Sequence, residues 1–255
     1  MARRLGPVGV GILAALIGQR RSSAVYRFLI AGSPSPRLFL HRALRLLCYR
    51  VTVEGIERLP DCAEFIAVSN HPTGGAEGLV LMDLLLKGYG GVRLPANALL
   101  QHLRPIAPLC TPVDVFRMNT SRIATVESLI EPGRPLLLFP AGRTARVRGG
   151  RLRDFPWRRG FVLLARRSGR PVVPITVRTS QSRLFDVVWR VRRAFGVAVN
   201  LEMLLLVREV LRRGRAVHVT IHPPIAAQVL ADGTSPRRHA RLVQHLVEST
   251  RVAAA

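Results

Sequence analysis

The 255-residue chain is short of lysine, aromatic residues and acid. Lys87 is its one lysine, aromatic residues make up 5%, and 15 acidic residues stand against 39 basic ones. Arginine therefore carries nearly all the positive charge. A codon bias accounts for arginine over lysine, but not for the excess of base over acid. Cysteine is scarce as well: Cys48, Cys62 and Cys110 are odd in number, irregularly spaced and free of any Cys-x-x-Cys pair. That argues against a disulfide framework and a zinc cluster, and suits a reducing compartment. No zinc-finger, RNA-binding or helix-turn-helix pattern accompanies the few aromatics, so no nucleic-acid partner is expected. A long apolar run is also missing. Residues 8–17 are apolar but broken by glycine and followed by Gln19-Arg20-Arg21, short of the roughly 20 residues a spanning helix needs. The run reads as a peripheral or monotopic anchor. A signal peptide is disfavoured because Arg20 and Arg21 fall where small residues would mark cleavage.

What the chain does have is 48% hydrophobic residues and a formal charge of +24. The first can build one sizeable core; the second favours anionic surfaces such as phosphate-bearing lipids or acyl carriers. After the Gly32-Ser33-Pro34-Ser35-Pro36 punctuation, leucines and Phe39 alternate with Arg37, His41, Arg42 and Arg45. This reads as a basic amphipathic helix, either lying among lipid headgroups or packed on its own domain with a solvated arginine face. Residues 1–48 are therefore expected to form an N-terminal helical membrane-association segment, and residues 49–255 one domain.

From Tyr49 onward, strand-like runs (51–53, 65–68, 136–139, 172–177 and 216–221) alternate with helical ones (78–86, 121–130, 158–167 and 201–212). The expected fold is α/β, an open central sheet flanked by helices. Ligands in such sheets bind where strands end, which directs attention to the residues just after them. The tail 236–252 looks helical, with His239 and His245 on its surface.

Two such turns are rich in chemistry. The run 65–68 leads straight into Ser69-Asn70-His71-Pro72-Thr73-Gly74-Gly75-Ala76-Glu77-Gly78. Pro72 keeps His71 out of the helix that follows, and the glycines let the backbone turn closely. A histidine there suits a general base, with Glu77 fixing its tautomer and balancing the imidazolium. The plainer reading is a local turn histidine beside a glutamate that favours a helix N-terminus. The second turn is Phe139-Pro140-Ala141-Gly142-Arg143-Thr144-Ala145-Arg146, where Gly142 allows close approach and Arg143 offers a guanidinium fork for an anion. Arg146 and the arginines after it read as a solvated basic loop. Between the two turns, Asp114 and Arg117 follow Cys110-Thr111-Pro112; Arg117 is a further anion ligand. Pro174, within the run 172–177, suits a sheet edge, a bulge or a strand end.

Taken in order, these blocks resemble the glycerolipid acyltransferase family, whose best-known members acylate lysophosphatidate or glycerol 3-phosphate. The resemblance spans residues 51–177. Asn70-His71 matches the start of a block of Asn-His, four residues and Asp. Val115-Phe116-Arg117 resembles the second block, Phe139-Pro140-Ala141-Gly142-Arg143-Thr144 the Phe-Pro-Glu-Gly-Thr-Arg block, and Val173-Pro174-Ile175 the fourth. Two departures stand out. The acid arrives one residue late, as Glu77 rather than at Ala76, like the His-Pro-x-Gly variant of the family, with Asp83 as a lesser alternative. In the third block Ala141 replaces glutamate, and Arg143 precedes Thr144.

The resemblance implies direct acyl transfer from acyl-CoA or acyl carrier protein to a lysophospholipid or glycerol phosphate hydroxyl. His71 would be the base, Glu77 its partner, and Asn70, Arg117, Gly142, Arg143 and Thr144 the substrate-binding set. No cofactor or metal is implied, and the expected location is the cytoplasmic face of a membrane. The altered third block keeps open a non-phosphate acceptor such as a lyso-ornithine lipid. A non-catalytic basic protein binding anionic membranes or nucleic acid is the alternative of another class.

Overall fold

The computed structural model describes residues 19–96, 98–112, 130–195 and 202–250. The apolar run 8–17, Asp114, the block ending in Arg117, and the helix expected over 121–130, apart from Ile130, lie outside them. Two helices come first, α1 (Gln19–Ile30) and α2 (Pro36–Leu46). Ser35 starts α2 by accepting the Leu38 N–H at 3.3 Å, and Pro36 occupies the first turn, where a missing N–H costs nothing. Then follow β1 (Arg50–Glu54), β2 (Ile66–Ser69), α3 (Ala76–Tyr89), β3 (Leu94–Ala96), β4 (Cys110–Pro112) and β5 (Leu136–Leu138). A hairpin, β6 (Arg146–Arg148) and β7 (Arg151–Arg153), leads to α4 (Gly160–Ser168) and β8 (Val172–Arg178). The chain returns through α5 (Arg183–Ala194) and α6 (Glu202–Val210) to β9 (Ala216–Ile221), α7 (Ala227–Leu230) and α8 (Pro236–Ser249).

The main sheet runs β1-β9-β8-β2-β5, parallel except for the antiparallel β8–β9 pair. Both faces are covered. Phe65 and Ala67 point to one side, with Leu137, Val173, Ile175 and Val219, against α2 and α3; Ile66 and Val68 point to the other, against α4 and α8. Period-two alternation thus feeds two cores, and strands buried on both faces read as continuous apolar runs.

The apolar face of α2 belongs to the first core: Phe39, Leu40 and Ala43 are buried, while Arg37, His41 and Arg45 are exposed. Burying a Phe or Leu side chain is worth about 1.5–3 kcal/mol. Of the two readings left open for this helix, packing on its own domain describes its apolar face. Among the described residues, no helix is long and apolar enough to cross a membrane.

Pro174 lies in an interior strand, so of the edge, bulge or strand end expected for it the edge does not apply. Its missing N–H is accommodated by a local gap in the pairing. The β8–β9 ladder begins at Ile175, and Val172 is bridged separately to Ile225. Between them, Pro174 only accepts, taking the His222 N–H at 3.0 Å. His239 also departs from expectation: it is buried and lies 2.9 Å from Asp232.

Candidate active site

The site is built on the turn from β2 to α3. Asn70, fully buried, anchors the turn to β8: its Nδ2 donates to the Val177 carbonyl at 2.8 Å, and its Oδ1 accepts the Val177 N–H at 2.7 Å. The amide is thereby held at both its oxygen and its nitrogen by the backbone of β8. His71, next in the chain, is held through its backbone. Its N–H donates to the Asp154 carboxylate at 3.1 and 3.2 Å, and its carbonyl accepts the Ala145 N–H at 2.7 Å. The imidazole stacks on Phe139, with ring centroids 4.5 Å apart. Its Nδ1 lies 2.7 Å from Glu77 Oε1, at an angle too oblique for a well-aligned hydrogen bond. The histidine side chain retains 19% exposure and the Glu77 side chain none.

Glu77 can sit in this dry place because donors converge on it. It accepts the Thr73 N–H at 3.2 and 3.3 Å, the Gly74 N–H at 2.8 Å and the Thr73 hydroxyl. Burial pushes its carboxyl up, but the His71 imidazole, the Thr73 hydroxyl and backbone donors outweigh that and hold it at about 2, below the ordinary 4.5. The first turn of α3 adds its dipole. The helix begins at Ala76, so Glu77 lies inside it and reaches back over the 73–75 turn to His71. A carboxylate so placed can favour the imidazole tautomer protonated at Nδ1 and balance the charged ring. Asp83 is further along α3 and pairs with Lys87 at 2.6 Å, so it is not brought to His71.

The glycines of the turn lie under other elements. Gly74 has φ +86°, and a Cβ there would collide with Leu206 of α6 and Thr144; one on Gly75 would collide with Val210. The third block thus meets the first through Phe139, Thr144 and Ala145. Gly142 takes φ +61°, and Thr144 is buried against the His71 turn. Arg143 is exposed, its guanidinium 5.8 Å from the centre of the Phe155 ring. Arg146 is not the solvated residue expected: it is buried, donates to the Thr144 and Ala145 carbonyls at 2.7 and 3.0 Å, and lies 5.1 Å from the Phe185 ring centre. Fixing two carbonyls of the turn gives it a place in the fold.

Asp154 was not foreseen. It is 3% exposed and accepts from both the His71 N–H and the Trp157 indole, the latter at 3.0 Å. The available signal was an acid in the basic stretch Arg151-Leu152-Arg153-Asp154, followed by Phe155-Pro156-Trp157. Among the described residues, no cluster of three histidines, cysteines or acids is arranged to hold a metal ion.

An α/β sheet with a histidine–carboxylate pair at a strand end is a class of enzyme site. A family model described as Acyltransferase matches residues 2–248, taking in the N-terminal helices as well as the sheet. The chain belongs to this acyltransferase family, and it is an enzyme of that type. It is 33% identical over 215 residues to the lyso-glycine lipid O-acyltransferase of Phocaeicola vulgatus, covering 82% of this chain and 76% of the relative. The protein of the same name from Bacteroides thetaiotaomicron is 32% identical over 212 residues, covering 82% and 78%. The crystal structure of the 1-acyl-sn-glycerophosphate (LPA) acyltransferase PlsC from Thermotoga maritima is similar in fold, with a TM-score of 0.50 over 96% of this chain and 89% of that one, at 16% identity.

Proposed function

We propose that the protein moves a fatty acyl group from a thioester, acyl-CoA or acyl carrier protein, to the hydroxyl of a lysolipid, with His71 as general base. The observation that carries the reading is the 2.7 Å approach of His71 Nδ1 to a fully buried Glu77. With Nδ1 facing the carboxylate, Nε2 takes the hydroxyl proton while the oxygen attacks the thioester carbonyl. The tetrahedral intermediate collapses as the C–S bond breaks, and the departing thiolate receives the proton from the imidazolium. Glu77 stabilises the positive ring in between. No acyl-enzyme forms.

Arg143, with Arg117 assisting, binds the anionic headgroup, while Gly142 and Thr144 shape the turn that presents it. The lysolipid acceptor is of the amino-acid-headed class rather than lysophosphatidate. Two facts favour this: both curated relatives are named for a lyso-glycine lipid, and Ala141 and Arg143 replace what the phosphate-handling block would carry. The enzyme works on the cytoplasmic face of a membrane, held peripherally by its basic surface. A merely adhesive basic protein would have no use for a buried ionised glutamate, which costs free energy unless paired.

The test is acyl transfer by the purified protein to a panel of lyso-glycine lipid, lyso-ornithine lipid and lysophosphatidate, with both donors. Transfer to the amino-acid-headed acceptors should exceed transfer to lysophosphatidate at least about tenfold, the effect of one mismatched polar contact. Preference for lysophosphatidate would overturn the acceptor class. No transfer to any acceptor would overturn the whole reading.

A further inference from the structure

The helices that return the chain from β8 to β9 carry an apolar ridge on their outer side. Val187 and Val191 of α5, and Phe195 just past its end, follow one another at four-residue spacing and so line one face. They are 52%, 50% and 79% exposed. Val207 on α6, which packs against α5, is 45% exposed. Another face of α5 already has its protein partner, because Phe185 is buried and lies under Arg146. The α5 ridge is therefore additional to what the fold needs, and exposed apolar side chains aligned along one helix face mark an interaction site.

Charge selects the partner. At 100° per residue, Arg183 and Arg190 both fall roughly 40–60° to the same side of Val187, along one edge of the ridge. Both are exposed. Arg190 is paired with Asp186 at 2.8 Å, and Glu209 of α6 is buried against Arg215. An apolar stripe edged by arginine suits a surface with acyl chains beneath and negative headgroups above. A second copy of this chain fits less well, since two proteins of charge +24 repel.

We propose that the α5–α6 pair docks on an anionic bilayer, with Val187, Val191, Phe195 and Val207 in the acyl boundary and the bordering arginines among the headgroups. This also positions the site. Leu206 and Val210 of the same pair press on Gly74 and Gly75, between His71 and Glu77, so docking sets the turn beside the interface from which a lipid enters. The docking rests on the ridge and its arginines rather than on the lysolipid reading, and it is measured without acyl transfer, so the two fail separately.

The experiment is partitioning of the full chain onto vesicles of mixed phosphatidylcholine and phosphatidylglycerol. Val187→Asp/Val191→Asp should lower the partition coefficient at least about tenfold, as expected for moving charge into the acyl boundary. Folding is checked by an unchanged circular dichroism spectrum. A gain-of-signal variant covers loss of fold and any contribution from the N-terminal segment: Phe195→Trp should add fluorescence that brominated lipid quenches beyond the background of Trp157 and Trp189. No added quenching would overturn the proposal. So would a double Asp variant that binds as the parent does, or one whose lost binding tracks dissociation of a dimer on size-exclusion chromatography.

Discussion

The two turns that meet at the site are built in opposite ways. In the turn from β2 to α3, Asn70, His71, Thr73 and Glu77 are tied to one another, to β8 and to Asp154, and most of these groups are buried. In the turn after β5, Phe139, Thr144 and Ala145 face the first turn, but Arg143 stands exposed over Phe155. A base needs one fixed orientation, which a dense set of hydrogen bonds supplies. A group that selects among headgroups works from a looser position, where a change of side chain alters binding and leaves the base in place. On the roles proposed for His71 and Arg143, chemistry and selectivity are separated between neighbouring turns.

The sharpest way to break that contrast is at His71. His71→Ala should lower kcat about 10³–10⁴-fold, the range lost with a general base in a coupled unit, while its thermal melt stays cooperative. Near-parental turnover by the folded variant would end the base assignment. Glu77→Gln should cost about 10²-fold in kcat, since the amide keeps the shape of the site and loses the charge that balances the imidazolium. It also has a signature in stability. Glu77 is held at about 2 against an ordinary 4.5, so the stability it contributes is present above about 4.5 and is lost as pH falls toward 2. Urea unfolding between these pH values should show that loss in the parent and a flatter profile in Glu77→Gln; parallel profiles would contradict the ionised, donor-bound carboxylate. The smallest effect is expected at the looser turn. Arg143→Ala should raise the acceptor KM about three- to tenfold and leave kcat within about twofold, as for an exposed contact made equally in ground and transition states. A fall in kcat with KM unchanged would place Arg143 on the reacting atoms instead and dissolve the contrast.

Some of this was legible in one dimension. The run 216–221 is the strand β9 to the residue, and four other strands lie within a few residues of where alternation put them. The block order named the family. Other elements were missed for identifiable reasons. The hairpin Arg146–Arg153 has a Gly149-Gly150 turn, both with positive φ, and alternating apolar positions, but the density of arginine made it read as a loop. The helix α5 was passed over: of its apolar residues only Phe185 is buried, while Val187 and Val191 are exposed, so its pattern does not resemble that of a core helix.

By itself the sequence determined the local grammar: strands buried on both faces, a proline that stops His71 from entering a helix, and glycines that free the turn. Those properties depend on neighbours in the chain, and period and backbone restriction suffice to read them. Only the tertiary structure decided which polar groups meet. Asp154 reaches the His71 N–H across 83 residues, Asn70 binds Val177 across 107, and α6 packs over Gly74 and Gly75. Such pairings arise when the sheet order β8-β2-β5 brings strand ends side by side, and no spacing along the chain encodes that adjacency. The late glutamate shows both levels at once. Its identity is a matter of sequence, but its reach to His71 depends on where α3 begins and on how the turn folds beneath α6.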